Sequence, residues 1–237
     1  GIDNAQTFDV SNACASMMTS LMIADSRIRS GQAEYVLVVS GEHITPIIDE
    51  AKRRNLYLHP RAIASLTVGD GAAAYILGPS KEEGRIRFSK PFTLAQYNMH
   101  CIGQACKNHR GPQMRTKAKD LQNGVLNNLG VFLQRSIKKM EVKWDEIDHT
   151  YSHPTTPKAV KKGAKLATGI FGEINFLHND SAKTANTAST THGVLLEISQ
   201  NSGYLKSDET ALIVSFGSGL AILAMHFNLP KGVEEWL

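Results

Sequence analysis

The sequence has few cysteines and few aromatic residues, and none of its apolar runs is long enough to cross a membrane. Its three cysteines cannot all pair, and their spacing does not suggest a disulfide framework. Aromatic residues make up 7% of the chain, and neither zinc-finger spacing nor an RNA-binding aromatic signature is present. These absences argue against a disulfide-rich scaffold, a membrane-spanning protein and a recognisable nucleic-acid-binding module.

The composition is that of an ordinary globular protein. Hydrophobic residues make up 42% and charged residues 20% of the 237 positions, and the net charge of +4 is mild. This length is enough for one large domain or two small ones with a sizeable core. The first residues lack the basic head and apolar body of a signal peptide, so we expect a reducing cytoplasm.

Short apolar strands alternate with amphipathic helices, which predicts an α/β fold. We expect strands at 6–11, 34–41, 67–78, 147–153 and 211–227, and helices at 15–29, 113–140, 157–168 and 187–201. The apolar run at 34–41 is typical of a strand buried on both faces. The polar turn at 79–84 is a candidate boundary between two halves, and Gly217 and Gly219 predict a sharp turn between the last two strands.

One cysteine stands at the expected start of a helix, in the stretch "DVSNACAS". Unpaired backbone N–H groups at a helix N-terminus carry partial positive charge, which stabilises a thiolate and lowers its pKa. Cys14 is therefore a candidate nucleophile. The alternative is a small buried core residue, which is the usual role of a free cysteine.

Two further residues stand at strand-to-helix or loop-to-helix junctions. His153 follows an expected strand and precedes a helix with Thr156 as its cap and Pro157 as its first residue. Asn186 lies in "TANTAST", ahead of another expected helix. The alternatives are a histidine that satisfies a local hydrogen bond and an asparagine that caps a helix.

Taken together, these segments resemble the ketoacyl-ACP synthase III branch of the thiolase superfamily. The resemblance rests on "NACAS", "GQAEYVLVVSGEH", "VGDGAAAYILG", "YSHPTTPKAVKKGA", "NDSAKTANTAST" and "SFGSGLA", in that order along essentially the whole chain. It implies a layered αβαβα fold made of two similar halves.

The resemblance also implies a mechanism. Cys14 would attack a coenzyme A or phosphopantetheine thioester and hold its acyl group covalently. His153 and Asn186 would bind the carbonyl of a malonyl thioester and stabilise the enolate formed as carbon dioxide leaves. Backbone N–H groups of Cys14 and of the turn Gly217, Ser218 and Gly219 would meet the oxyanion. No metal or redox cofactor is required, and Asp70 is interpreted as scaffold near the site.

The segment that follows the histidine departs from the family. Pro154, Thr155 and Thr156 stand where the chain-initiating members usually carry Gln-Ala-Asn. This leaves open relatives that condense other acyl chains and a non-decarboxylating acyltransferase on the same fold. A non-catalytic partner subunit is a separate alternative, and the intact set of Cys14, His153 and Asn186 argues against it.

The family's nucleophile lies well inside its chain, whereas here it is residue 14. We therefore expect residues 1–84 to be the end of the first thiolase-like half and residues 85–237 to be the second half. We also expect an N-terminal companion polypeptide or a cleaved-off segment, and a homodimer of the whole assembly.

Two charged or metal-capable clusters remain. Lys158, Lys161, Lys162 and Lys165 share one face of the helix behind the histidine. This pattern indicates either a solvated face or a contact with an acidic carrier protein or a coenzyme A phosphate. The stretch "HCIGQACKNH" offers His100, Cys101, Cys106 and His109, but its spacing matches no common zinc pattern, so we expect a loop near the substrate entrance and no metal.

Overall fold

A six-stranded mixed sheet is the centre of the fold. The computed structural model describes residues 3–55, 59–81, 86–105, 112–178 and 181–232. The sheet comprises β3 (Ile86–Phe88), β4 (Phe92–Thr93), β7 (His149–Ser152), β8 (Phe176–His178), β9 (Thr210–Gly217) and β10 (Ala221–Asn228). Its order is β3-β10-β9-β7-β8, and β4 also pairs with β10. β7 is parallel to β8 and β9, whereas β9 and β10 form an antiparallel hairpin.

Helices cover both faces of this sheet. On one face, α1 (Ser16–Arg29) and α6 (Thr191–Asn201) pack against Ile213 and its neighbours. On the other, α3 (Ala118–Met140) and α4 (Pro157–Phe171) pack against Leu212 and Val214. Because successive side chains of a strand point to opposite faces, a strand between two helical layers must be apolar at every position. This explains the unbroken apolar run in β9.

The second sheet has two strands and one uncovered face. β1 (Val36–Glu42) pairs antiparallel with β2 (Gly71–Leu77), and α2 (Thr45–Arg53) lies between them in the sequence. Val38 and Leu77 are buried against α1. On the other face Leu37, Val39 and Ile76 are 53%, 65% and 77% exposed. Within the described chain β1 therefore alternates between a covered and an uncovered face, and burial on both faces stays a prediction for an assembly with the expected N-terminal companion.

Two expected elements differ from the structure. No ladder pairs residues 6–11 with another part of the described chain, so this segment does not form a strand. The helix expected from residue 113 begins at Ala118, because Pro112–Thr116 pairs with Cys101–Ala105 as the hairpin β5–β6. Backbone pairing with a neighbouring strand overrides the helical pattern there.

The other expected elements are confirmed with small shifts at their ends. The Thr156 side chain accepts a hydrogen bond from the Ala159 N–H at 3.2 Å, and Pro157 is the first residue of α4. A short helix, α5 (Ser181–Thr184), precedes the turn that carries Asn186. No helix in the described ranges has the length and apolarity that a membrane span needs. Residues 82–85, where we expect the boundary between the halves, lie outside the described residues, so the division at 84 stays a prediction.

The uncovered apolar face of the β1–β2 sheet predicts that residues 1–237 associate with one another when they are expressed on their own. Soluble monomers rarely expose contiguous apolar patches of this kind. We expect the isolated chain to associate and to bind the dye ANS. The double variant Val39→Thr/Ile76→Thr should lower dye fluorescence and raise the monomer fraction in gel filtration, since it makes the face more polar and keeps one β-branched residue at each position.

The matched control is Val131→Thr/Ile170→Thr, which changes two exposed apolar residues on α3 and α4. This control should leave the association unchanged. A wild-type chain that is monomeric, binds no dye and unfolds in one cooperative transition would contradict the interpretation of the β1–β2 face.

Candidate active site

The three residues expected to be catalytic line one cavity. Its volume is about 860 Å³, and it lies at the ends of β7 and β9 that point toward α1. Cys14, His153, Asn186, Gly217 and Ser218 all contribute to its wall. Gly219 follows in the same β9–β10 turn but does not line the cavity. The structure therefore brings together three side chains that are far apart in the sequence.

A tight loop presents the cysteine immediately before α1. Ala13 adopts a left-handed conformation with φ 46°, and the Ala15 N–H donates back to the Asn12 carbonyl at 3.0 Å. The Ser16 hydroxyl donates to the Ala13 carbonyl at 2.6 Å and accepts from the Asn12 N–H at 2.7 Å. These bonds fix the loop from both sides, so Cys14 is held at the cavity wall by backbone geometry that residues other than glycine rarely adopt.

Gly217, the last residue of β9, is in close contact with this loop. A Cβ added at Gly217 would lie 2.6 Å from the Asn12 carbonyl oxygen and 2.9 Å from the Ala15 Cβ. Both distances are too short for real atoms, and the first involves backbone. Glycine is therefore required at 217 for the β9–β10 turn to approach the cysteine.

His153 is fixed in place and uncharged. Its backbone N–H donates to the Val214 carbonyl at 2.9 Å, so it continues the pairing of β7 with β9. Its side chain is buried, and no partner for Nδ1 exists among the described residues. Burial lowers the pKa of His153 to about 4, because an imidazolium would lose its hydration there. The ring is therefore a neutral hydrogen-bonding group at physiological pH.

Asn186 is held by bridges to the segment before β2. Its N–H donates to the Thr67 carbonyl at 2.9 Å, and its carbonyl accepts from the Gly69 N–H at 3.0 Å. Its side-chain Oδ1 accepts from the Ala188 N–H at 3.0 Å. No bond of Nδ2 is recorded within the described ranges, so this amide can donate to a bound molecule.

The protonation state of the cysteine differs from the expectation. We expected the helix start to lower its pKa, but burial raises the pKa of the Cys14 thiol to about 12, with smaller contributions from Cys101 and Glu42. The backbone hydrogen bond at Cys14 lowers the pKa by less than burial raises it. Cys14 also precedes α1 by two residues, where the helix dipole is weaker than inside the first turn. The resting cysteine is a neutral thiol.

Sequence reasoning missed Glu42 and His192 near the site, and it expected Cys101 near the substrate entrance without relating it to Cys14. Glu42, at the end of β1, lines the cavity and accepts hydrogen bonds from the Ser189 N–H and hydroxyl, which ties β1 to the turn after Asn186. Cys101 also lines the cavity. His192 is buried with its ring centroid 5.8 Å from that of His153. Glu42 and Cys101 lie in sequence motifs quoted above, but only the three-dimensional fold shows that both residues line the cavity.

Asp70 has a structural place outside the cavity wall. Its carboxylate accepts hydrogen bonds from the Ile44 N–H at 2.5 Å, the Thr45 N–H at 2.8 Å and the Thr45 hydroxyl at 2.7 Å. The bonds from Thr45 lower the pKa of Asp70 most, and the Ile44 and His43 bonds lower it further. These contacts cap the start of α2 and support the interpretation of Asp70 as scaffold.

The basic cluster lies on the outside of α4. Lys158, Lys161, Lys162 and Lys165 are exposed, and none forms a salt bridge within the part of the chain that the structure describes. None lines the cavity. Of the metal-capable set, Cys106 and His109 lie outside the described residues, and His100 is 3.8 Å from Asp120.

Comparison with known proteins finds similarity to 3-oxoacyl-acyl-carrier-protein synthase III. A family model described as 3-Oxoacyl-[acyl-carrier-protein (ACP)] synthase III matches residues 8–92. The chain is 26% identical to a beta-ketoacyl-acyl-carrier-protein synthase III of Coxiella burnetii, over 92% of this chain and 65% of that protein. It is 27% identical to the corresponding protein of Streptomyces glaucescens, over 97% of this chain and 68% of that one. The chain thus spans about two thirds of the length of these curated relatives.

Several solved structures have a backbone fold similar to that of this chain. The cerulenin-bound OleA of Xanthomonas campestris superposes with a TM-score of 0.83 at 21% identity, covering 96% of this chain and 66% of that one. The 3-oxoacyl-acyl-carrier-protein synthase III of Xanthomonas oryzae superposes with a TM-score of 0.79 at 21% identity, covering 96% and 67%. These likenesses show that the fold is the same.

Replacement of Gly217 tests the close contact with the cysteine loop. Gly217→Ala should destabilise the protein by about 1–3 kcal/mol, because the new methyl group overpacks against backbone. The same change should displace Cys14 and slow its alkylation by iodoacetamide. Gly169→Ala is the control, since nothing lies within 4 Å of its added Cβ. A Gly217→Ala protein with unchanged melting temperature and alkylation rate would refute the close contact.

The raised pKa of Cys14 predicts an unusual pH profile. Its alkylation rate in the folded protein should rise about tenfold per pH unit from about pH 7 to about pH 10 without a plateau, because the thiolate is the reacting form. The rate is measured by mass spectrometry on the Cys14 peptide. The same peptide in unfolded protein is the control and should level off near about pH 8.5. A plateau below about pH 8 in the folded protein would contradict a neutral thiol with a raised pKa.

Proposed function

Because this chain is a ketoacyl-synthase-III-like protein of the thiolase superfamily, we propose that it carries the active site of an acyltransferase that condenses an acyl thioester with a malonyl thioester. The observation that carries the proposal is the convergence of Cys14, His153 and Asn186 on one cavity. A nucleophile beside two neutral hydrogen-bond donors provides what both half-reactions need.

In the first half-reaction, Cys14 attacks the carbonyl of a coenzyme A or phosphopantetheine thioester. Its sulfur forms the new thioester bond, the bond to the departing thiol breaks, and the proton of the Cys14 thiol ends on the departing sulfur. The step therefore needs no net base, which fits a thiol that is neutral at rest. Backbone N–H groups of Cys14 and of the β9–β10 turn are the proposed donors to the tetrahedral oxyanion.

In the second half-reaction, a malonyl thioester takes the place of the departed thiol. His153 and the Asn186 amide donate hydrogen bonds to its thioester carbonyl, and carbon dioxide leaves as the enolate forms. The enolate carbon then attacks the acyl group on Cys14, and the cysteine departs as thiolate and regains a proton. A histidine with a pKa of about 4 supports this role, because it remains a neutral donor throughout.

The carrier of the acyl group is proposed to contact the basic side of α4. The four lysines lie on the helix that begins four residues after His153, and their charges are unpaired within the described ranges. Phosphates of coenzyme A and acidic carrier proteins both suit such a cluster. The proposed chemistry uses neither a metal nor a redox cofactor, and it places the protein in fatty acid or polyketide biosynthesis in the reducing cytoplasm, where Cys14 stays a thiol.

A second candidate is a non-decarboxylating acyltransferase that passes the acyl group from Cys14 to another acceptor. It is favoured by Pro154, Thr155 and Thr156, which replace the usual Gln-Ala-Asn after the histidine. Release of carbon dioxide from a malonyl thioester distinguishes the two. A non-catalytic subunit would not require Cys14, His153 and Asn186 to line the same cavity.

The uncovered face of the β1–β2 sheet supports a proposal about partners. Leu37, Val39 and Ile76 form an apolar surface of the kind that a helical layer covers elsewhere in this fold. The curated relatives are longer than this chain, which leaves about one third of their length unmatched. We assign the cover to a polypeptide equivalent to that unmatched part. We also propose a homodimer of the whole assembly, and this proposal rests only on the resemblance to the ketoacyl-ACP synthase III family.

Substitutions of His153 and Asn186 separate the two half-reactions. His153→Ala and Asn186→Ala should each reduce malonyl-thioester decarboxylation at least about a hundredfold, since each removes one donor to the enolate. Transfer of an acyl group to Cys14 should persist in both. Decarboxylation is followed by release of labelled carbon dioxide and acylation by intact-protein mass.

Asn201→Ala, an exposed change at the end of α6, is the control and should affect neither step. Loss of acylation with decarboxylation intact in the two variants would reverse the assignment. A wild-type protein that acylates Cys14 but never decarboxylates a malonyl thioester would favour the second candidate.

A further inference from the structure

The backbone that carries Asn186 is strained on both sides of the asparagine. Ala185 and Ala188 have φ angles of 57° and 50°, in the left-handed region that alanine rarely adopts. Such residues cost free energy and persist only where the surrounding structure holds them. Residues 185–190, which we call the asparagine turn, therefore depend on bonds that fix this conformation.

Threonine side chains hold the end of the asparagine turn that leads into α6. The Thr190 N–H and hydroxyl both donate to the Thr187 carbonyl, at 3.1 and 2.8 Å. The Thr187 hydroxyl lies 3.2 Å from the Thr191 hydroxyl, at the start of α6. None of these three bonds involves Ala188 or Asn186, so the strained residue beside the asparagine needs another support.

That support comes from β1. One oxygen of Glu42, Oε1, accepts hydrogen bonds from the Ser189 N–H at 3.2 Å and from the Ser189 hydroxyl at 2.5 Å. The Ser40 hydroxyl lies 2.6 Å from the same Ser189 hydroxyl. Glu42 and Ser40 are separated in sequence from Ser189 by about two thirds of the chain. β1 therefore holds the residue that directly follows the strained Ala188.

The bonds to Glu42 bear on the orientation of the Asn186 side chain. The Ala188 N–H donates to Asn186 Oδ1 at 3.0 Å, so the position of this peptide unit determines which end of the amide is occupied. The Ser189 N–H belongs to the next peptide unit, and Glu42 fixes it. While both units are held, Oδ1 is bonded and Nδ2 is left to donate to a molecule in the cavity.

The chemistry of a carboxylate suits this task. Glu42 is half-buried at the last position of β1, and it lines the same cavity as Asn186. A carboxylate that leaves water loses hydration, and the two bonds from Ser189 offset part of that loss. Hydrogen bonds to a charged acceptor are shorter and stronger than those between neutral groups. Glu42 therefore holds the asparagine turn more firmly than a neutral side chain of the same length would.

We propose that Glu42 is a positioning residue for Asn186, which it holds through Ser189 by fixing the strained asparagine turn with the amide directed into the cavity. The effect of Glu42 on turnover rests on the proposed function, whereas its hold on the turn rests on the hydrogen bonds alone. Because Glu42 acts through Asn186, it supports the second half-reaction, in which the amide donates to the malonyl carbonyl. Transfer of an acyl group to Cys14 does not require it.

The first test measures backbone amide hydrogen exchange of the asparagine turn by mass spectrometry, on the complete protein and without substrate. Glu42→Ala removes the acceptor of both Ser189 bonds, so exchange in the peptide that contains residues 185–190 should become about tenfold faster or more. Glu42→Gln keeps a side-chain oxygen that can accept both bonds, so it should restore most of the protection. Exchange in β9 is the internal reference and should stay unchanged in both variants.

The second test follows the two half-reactions in the same variants. Glu42→Ala should lower malonyl-thioester decarboxylation about tenfold or more, because the Asn186 amide is no longer held in place for the enolate. Acylation of Cys14 should persist, and Glu42→Gln should recover most of the decarboxylation. Glu34→Ala is the matched control, since this exposed glutamate lies two residues before β1, and it should change neither exchange nor decarboxylation.

Ser189→Ala gives a smaller change that keeps the test valid if Glu42→Ala fails to fold. It removes the hydroxyl bond to Glu42 and leaves the Ser189 N–H bond in place, so exchange in the asparagine turn should accelerate by a smaller factor than in Glu42→Ala. In the double variant Glu42→Ala/Ser189→Ala, the second change should add little, because its partner is already absent.

Three outcomes would overturn the proposal: unchanged exchange of the asparagine turn in Glu42→Ala, equal acceleration in Glu42→Ala and Glu42→Gln, or unchanged exchange in Ser189→Ala. Faster exchange of the turn in Glu42→Ala, in a protein whose wild type never decarboxylates a malonyl thioester, would reject the proposed function and leave the hold of Glu42 on the turn standing.

Discussion

The contact between the end of β9 and the loop before α1 is the constraint on which the rest of the site depends. Gly217 lies against the Asn12 carbonyl and Ala15, at a distance that no side chain permits. The central sheet carries His153 at the end of β7 and the β9–β10 turn beside it, whereas the loop carries Cys14. The contact therefore joins the central sheet to the cysteine loop at the place where the proposed chemistry requires atoms from both.

Burial determines the electrostatic character of this site. It raises the pKa of Cys14 and lowers that of His153, so both groups are neutral at rest. The same exclusion of water strengthens hydrogen bonds to charge that develops during a reaction. A site of neutral donors suits thioester chemistry, in which the charges arise only when substrate is present.

Much of the fold was predictable because its signals are local. The unbroken apolar run of β9, the cap at Thr156 and the glycines of the last turn each indicate their structure within a few residues. The order of the motifs indicated the family, and with it three candidate residues that the structure brings to the wall of one cavity. The strand expected at 6–11 and the helix expected from 113 were wrong, because strand pairing depends on partners that local patterns do not reveal.

The rest required three-dimensional neighbours. The pKa of Cys14 depends on how deeply the cavity buries it and on Cys101 and Glu42, which no spacing in the sequence relates to it. The exposed face of β1 looks the same in the sequence as a covered one, since both are apolar.

The most direct test of the central claim is to locate the acyl group on the protein. The complete protein is incubated with an acyl-coenzyme A, digested and mapped by mass spectrometry, with Cys14→Ala as the control. We predict the acyl mass on the Cys14 peptide and its loss in the variant. Acyl label on Cys101 or Cys106 with Cys14 unmodified would contradict the account.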